Sequence, residues 1–163
     1  MEDFTKTYDK YKNDVYRLAL SYTKNIADSE DITQNVFIKY FKNKESVSNN
    51  KIKNWLIKVT INECKNMLLS SWKKRIISIC GKEENIKLKE KEDQYIIDSI
   101  FKLQKKDRVL VYLYYYENYS VKDISELLNM SVSNVKVRLH RSRNLLKDIL
   151  EEEKKWKINI KKQ

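Results

Sequence analysis

A chain of 163 residues with one glycine and no proline has few ways to turn sharply. Tight β-hairpins rely on glycine for positive φ, and glycine and proline punctuate most connections between strands. A sandwich or barrel is therefore hard to write in this alphabet. Phosphate loops of the G-x-G-x-x-G or P-loop type need several glycines, so they are excluded. The expected fold class is all-α.

The chain is 41% hydrophobic and 35% charged, which suffices for a core and is too apolar for a disordered tail. No run approaches the roughly 18 apolar residues of a membrane span. The first residues, MEDFTKTYDKYKND, are polar and acidic, unlike a signal peptide, so a cytoplasmic protein is expected. The two cysteines, Cys64 and Cys80, form no C-x-x-C pair, and the single histidine, His140, lies far from both. Neither a metal site nor a disulfide framework is expected, and no cofactor. One histidine, no metal-ligand spacing and no glycine loop leave little from which to build a catalytic site, so neither an enzyme nor a small-molecule substrate is expected.

The net charge is +11, with 28 lysines against 6 arginines, 15 asparagines and 17 isoleucines. These residues have A/T-rich codons, so much of the lysine reflects coding bias. Its distribution says more. Residues 1–50 balance with eight acids and eight bases, whereas 51–82 carry eight bases and one acid. Residues 83–100 reverse to six acids and three bases, and 101–150 carry ten bases and five acids. Two basic blocks around an acidic segment suit two contacts with a polyanion, nucleic acid being the usual one, or a solvated lysine-rich surface.

Apolar spacing reads as helix nearly throughout. Tyr11, Val15, Leu18 and Tyr22 mark a helix over about 3–24. Asp28 or Ser29 starts a second, through about Lys42, with Ile32, Val36, Phe37, Tyr40 and Phe41 as its buried stripe. Residues 44–54 read as a loop, and a third helix runs from about Lys53 to Trp72. Residues 73–95 have weak periodicity and hold Gly81. Shorter helices follow at Ile96–Leu103, Asp107–Tyr116 and Val121–Leu128, then a long one over Val132–Glu152. The organisation expected is two small helical domains joined by a linker, the second a helix-turn-helix: 1–75, a linker over 76–95, 96–152, and a basic tail over 153–163. The linker could span about 75 Å if extended.

The strongest local signal lies between Ser120 and Leu146. Ser120 with Asp123 three positions on is a variant of the capping box. Ile124, Leu127 and Leu128 form a buried edge. Asn129 suits a left-handed helix stop, and Ser131 caps the next helix. Two short helices joined this way make a helix-turn-helix whose second helix enters the major groove. At about 100° per residue, Val132, Val135, Leu139, Leu146 and Leu150 line one side of that helix. The other side carries Ser133, Val137, Arg141 and Asn144, flanked by Asn134, Lys136 and His140. Arg141 is a candidate base-edge donor, and Val137, apolar on an outward face, suits a thymine methyl. Lys136, Arg138 and Arg143 sit at the margins and suit phosphates. His140 is equally a plain surface residue.

In the third helix Leu56, Ile57, Thr60, Ile61, Cys64, Met67 and Leu68 share one side, which places Cys64 mid-core. The other side holds Lys58, Asn62, Lys65 and Asn66, and Trp55 and Val59 fall there too. Trp55 suits either stacking on an exposed base or packing against a neighbouring helix. In the second helix Asp28, Glu30 and Asp31 load the first turn, where carboxylates suit the helix dipole. Asp31, Gln34, Asn35 and Ile38 lie off the buried stripe, and an exposed Ile38 points to a protein interface or to nothing beyond capping.

Taken together, these motifs resemble those of the small sigma factors of bacterial RNA polymerase, the extracytoplasmic function (ECF) group. D28-S-E-D-I-T-Q-N-V-F37 is similar to the region 2 motif D-x-E-D-[LI]-x-Q-[ED]-x-F, and W55-L-I-K-V-T-I-N62 to W-L-[YF]-x-[IV]-[AT]-x-N. D107-R-V-L-V-Y-L-Y-Y-Y-E117 and Y119 through R143 are similar to region 4. The resemblance covers about 4–75 and 96–150. It implies that Asp28, Asp31, Gln34, Asn35, Phe37 and Ile38 dock on core RNA polymerase, at the β′ clamp helices, with β as a further contact. It implies that Lys51, Lys53, Asn54, Trp55, Lys58, Asn62 and Lys65 recognise and melt the −10 element of promoter DNA. It assigns the −35 element to Ser133, Asn134, Lys136, Val137, Arg138, His140 and Arg141. It places the linker in the path of nascent RNA, and it implies an anti-sigma factor of a kind that can be membrane-anchored. Three positions depart from the pattern: Asn35 for an acid, Gln104 for a proline and Val137 for a small polar residue. The rival expectation is a stand-alone helix-turn-helix regulator, which leaves the 28–37 motif and the basic third helix unexplained.

Overall fold

The structure, a computed structural model, describes residues 3–75 and 98–160. The described residues are helical, with no strand among them, and the chain divides into two compact units, 1–86 and 87–163. The linker over 76–95, with Cys80 and Gly81, lies outside the described residues.

The first unit packs three helices against one another: α1 (Phe4–Thr23), α2 (Ile26–Asn43) and α3 (Ile52–Arg75). Asp3 caps α1 by accepting from the Thr5 amide. Lys24 ends it in the left-handed region at φ 56°, a backbone shape that the residue type does not advertise. Helix α2 starts earlier than the sequence suggests. Its cap is Asn25, whose Oδ1 accepts from the Asp28 amide at 2.8 Å, which leaves Asp28 inside the first turn. Ser29 is buried, and its hydroxyl donates to the Asn25 carbonyl. Asparagine caps as well as aspartate does, so the earlier polar residue wins.

The stripe of α1 buries Val15, Leu18, Ala19 and Tyr22 against Ile32, Val36 and Tyr40 of α2 and Ile52, Leu56, Ile57, Ile61 and Cys64 of α3. Burying each large aliphatic of this set contributes about 1.5–3 kcal/mol. Phe41, expected in the stripe, is instead 55% exposed. Phe4 and Tyr8 of α1 explain the exchange. Phe37 is 3% exposed with its ring 4.8 Å from Tyr8, and Phe41 meets Phe4 edge-on at 5.3 Å from the rim. The expected 44–54 loop is two 3₁₀ turns, Lys44–Ser46 and Asn49–Lys51, that run into α3 at Ile52.

The second unit holds helical residues at 98–101, then α4 (Lys105–Val111), which continues as a π turn over Tyr112–Tyr116. Then come α5 (Val121–Leu128) and α6 (Val132–Ile160). Its core joins Leu103, Val109, Leu110, Leu113, Ile124, Val135 and Leu139. Arg108 is buried with them. Its Nη1 donates to the Leu103 carbonyl at 2.7 Å, and desolvation lowers its pKa. Gln104, where the family pattern has proline, holds φ −63°, the value a proline ring imposes.

The single helix expected over Asp107–Tyr116 changes character at Tyr112. The Tyr112 carbonyl accepts from Glu117, five residues on, and the Tyr112 hydroxyl donates to the Glu117 carboxylate at 2.7 Å. Asn118, at φ 56°, then turns the chain towards α5.

Helix α6 runs past Glu152 to Ile160, so most of the expected tail is helical. No glycine or proline stops it, and Glu151 to Lys155 and Glu153 to Lys157 have the i, i+4 spacing that favours helix.

Candidate nucleic-acid interface

The helix-turn-helix is built from local contacts. Ser120 Oγ accepts from the Asp123 amide at 3.1 Å while the Asp123 carboxylate accepts from the Ser120 amide at 3.2 Å, a reciprocal capping box. Asn129 closes α5 at φ 54°, and the Met130 amide returns to the Ser125 carbonyl at 2.9 Å. Ser131 caps α6 by accepting from the Asn134 amide at 3.2 Å.

Val135, Leu139 and Ser142 then point into the core, and Leu146 and Leu150 are half-buried. Val132, expected on this side, is instead exposed.

The outward side of α6 carries Ser133, Asn134, Lys136, Val137, His140 and Arg141, all exposed. Val137 is 47% exposed, an apolar side chain among donors. His140 sits between Arg143 Nη2, 3.3 Å from its Nδ1, and Asn144 Nδ2, 3.2 Å from its Nε2. Arg138 stands apart from the exposed set. Its Nε lies 2.8 Å from Asp107 Oδ1 of α4, with both side chains mostly covered. The Nε–H is not aimed at the oxygen, so the contact is an ion pair and not a hydrogen bond.

In the first unit, Lys51, Asn54, Lys58 and Asn62 are exposed, and Lys53, Trp55 and Lys65 are half-buried. Their spacing puts 54, 55, 58, 62 and 65 along one side of α3. Trp55 meets the buried Tyr40 of α2, with ring centroids 5.9 Å apart, and keeps part of its surface in solvent. Glu63, the only acid between 51 and 82, is drawn to Lys39 of α2.

On α2, Asp31, Gln34, Asn35 and Ile38 are exposed along one face and Asp28 is half-buried. Phe37 of the expected docking set is a core residue that offers almost no surface to a partner. Phe41, which that set omitted, lies exposed one turn beyond Ile38, with Lys44 Nζ 4.7 Å from its ring centre.

Among the described residues no group of three or more His, Cys, Asp or Glu could hold a metal ion, and no helix is long and apolar enough to cross a membrane.

Two helical units, the second a helix-turn-helix with a basic outward helix, define a class: a DNA-binding helix-turn-helix protein. Comparison with known proteins narrows it. Residues 7–74 match the family model for Sigma-70 region 2, and 93–146 match that for Sigma-70, region 4. The RNA polymerase sigma factor SigV of Bacillus subtilis is 30% identical over 144 residues, covering 84% of each chain. The ECF RNA polymerase sigma factor SigW of the same organism is 27% identical over 162 residues, covering 88% of this chain and 87% of that one. The fold is similar to that of the sigma factor RpoE in its complex with the anti-sigma factor NepR from Bartonella quintana, with a TM-score of 0.81 at 18% identity, covering 93% of this chain and 98% of that one. CnrH, in complex with the cytosolic domain of CnrY, is similar with a TM-score of 0.63 at 17% identity, covering 91% of this chain and 88% of that one. The chain belongs to the ECF sigma factors of bacterial RNA polymerase, the proteins that direct transcription from chosen promoters.

Proposed function

We propose that the chain binds core RNA polymerase through the outward face of α2 and reads promoter DNA with two helices, α3 at the −10 element and α6 at the −35 element. The observation that carries this is the division of α6. Val135, Leu139 and Ser142 anchor it, and Ser133, Lys136, Val137 and Arg141 face outward where a major groove would lie. Arg141 supplies donors for a base edge, Val137 a surface for a thymine methyl, and Lys136 a phosphate contact. On α3, Lys58, Asn62 and Lys65 track the backbone, and the solvent-facing part of Trp55 offers a surface to an unstacked base. Asp31, Gln34, Asn35, Ile38 and Phe41 make the polymerase-docking face.

In this reading the chain acts in the cytoplasm as a specificity subunit and has no catalytic activity of its own. Regulation by an anti-sigma factor is part of the proposal, supported by the RpoE–NepR complex. CnrY binds CnrH through a cytosolic domain, and a membrane-anchored anti-sigma factor is the corresponding expectation here.

Run-off transcription with core enzyme tests the reading. Initiation at a defined start site, dependent on the added chain, supports it. A purified chain that neither binds core enzyme nor redirects initiation, or that binds an operator tightly as a dimer without polymerase, refutes it.

A further inference from the structure

The geometry points to Asp107 as a positioning residue for promoter recognition, acting through Arg138. The inference rests on the proposed placement of α6 at the −35 element. Arg138 belongs to the recognition helix, on the border between its buried stripe (Val135, Leu139, Ser142) and its outward face (Val137, Arg141). Asp107 lies in the first turn of α4, with its amide tied to the Gln104 carbonyl at 2.9 Å. Asp107 Oδ1 and Arg138 Nε are both shielded from solvent and stand 2.8 Å apart.

A guanidinium is a planar fork with Nε at the stem and two amino groups at the tip. The ion pair with Asp107 holds the stem of the fork against α4 and narrows the rotamers open to the Arg138 side chain. Among the described residues neither terminal nitrogen of Arg138 meets an acidic or carbonyl partner, so both tips remain available to an acceptor outside the protein. The acceptor that the margin of a recognition helix meets is a DNA phosphate. An unrestrained arginine would lose rotamer freedom on meeting it, and Asp107 removes part of that loss before binding. Asp107 therefore aids DNA binding although it is an acid.

That sign separates the inference from simple electrostatics. Removing an acid near a polyanion raises net charge and tightens binding. Removing a positioning acid loosens it. The experiment uses holoenzyme reconstituted from core RNA polymerase and the full chain, a promoter selected by the wild-type holoenzyme from a randomised library, and promoter affinity with run-off yield as readouts. Asp107→Asn is expected to weaken specific binding about three- to ten-fold, and Asp107→Glu to restore it to within about two-fold. In an Arg138→Ala background Asp107→Asn is expected to have no further effect. Arg138→Lys, which keeps the charge and loses the fork, is expected to bind as weakly as Asp107→Asn, and this variant carries the comparison should Asp107→Asn lose its cooperative thermal melt.

Unchanged or tighter binding by Asp107→Asn, a loss that persists in the Arg138→Ala background, or Arg138→Lys binding like wild type would each overturn the inference. A wild-type holoenzyme that enriches no promoter would overturn the proposed function, and this inference with it.

Discussion

The indole of Trp55 in α3 rests against the phenol of Tyr40 in α2, with centroids 5.9 Å apart and planes inclined at 58°. Tyr40 is buried and Trp55 is partly open, so one ring forms the floor beneath the other. Trp55 packs on one side and keeps surface in solvent, an arrangement compatible with both packing and base stacking. Trp55→Ala is expected to lose about 1–3 kcal/mol of stability and to lower permanganate reactivity of the melted promoter region. Trp55→Phe keeps an aromatic face and is expected to restore most of both. A variant that melts DNA normally once corrected for folding would assign Trp55 to packing alone.

Arg141→Ala is expected to weaken promoter binding by about 1–3 kcal/mol at particular −35 bases. Binding to a panel of single-base −35 variants reads this directly. A loss that is uniform across the panel would make Arg141 a phosphate contact. Val137→Ser on the same panel is expected to reduce any preference for thymine at one position, because the thymine methyl loses its apolar partner.

Left-handed backbone at a residue other than glycine costs about 1–2 kcal/mol, less for asparagine. Lys24, at φ 56°, has no such allowance, so Lys24→Asn or Lys24→Gly is expected to stabilise the first unit by about 0.5–1 kcal/mol in urea unfolding. Asn129→Ala is expected to destabilise the second unit by a similar amount, and Asn129→Gly to be neutral or better. No gain at Lys24 would mean that its side chain holds contacts worth as much as the backbone penalty.

Loss of the cap tests the start of the helix-turn-helix. Ser120→Ala removes the acceptor for the Asp123 amide and is expected to cost about 1 kcal/mol. Ser120→Asp is expected to recover most of it. Thermal melts with a −35 duplex-binding assay distinguish a loss of fold from a loss of recognition.

Tyr22 is buried in the first unit, where desolvation, followed by the charge of Cys64, raises its hydroxyl pKa above the ordinary value of 10.0. The folded state then holds that proton more tightly than the unfolded chain. Its contribution to stability is complete below about pH 10 and is lost as pH rises through the raised folded value. The urea midpoint followed by circular dichroism is expected to fall above that pH, and to fall less steeply in Tyr22→Phe. Equal slopes in the two proteins would show that other groups account for the alkaline loss.

The sequence by itself determined what acts within one or two turns of helix. The Ser120–Asp123 box, the Asn129 stop and the Ser131 cap are legible because each joins residues no more than three or four apart. The outward face of α6 and the buried position of Cys64 follow from helical periodicity, which fixes the angle between side chains on one rod. Periodicity does not say which neighbour a rod meets. Phe37 and Phe41 lie four residues apart on the same rod, and only Phe4 and Tyr8 of α1 decide that Phe37 goes inside and Phe41 stays at the rim. The Asn25 cap of α2 stands three residues ahead of the start expected at Asp28 or Ser29, since all three side chains can cap a helix. Trp55 on Tyr40 and Arg138 beside Asp107 carry no mark in the sequence, since each joins residues brought together only by the crossing of two helices. Local hydrogen bonds set the helices and their ends, and tertiary packing chose which of their faces were left outward.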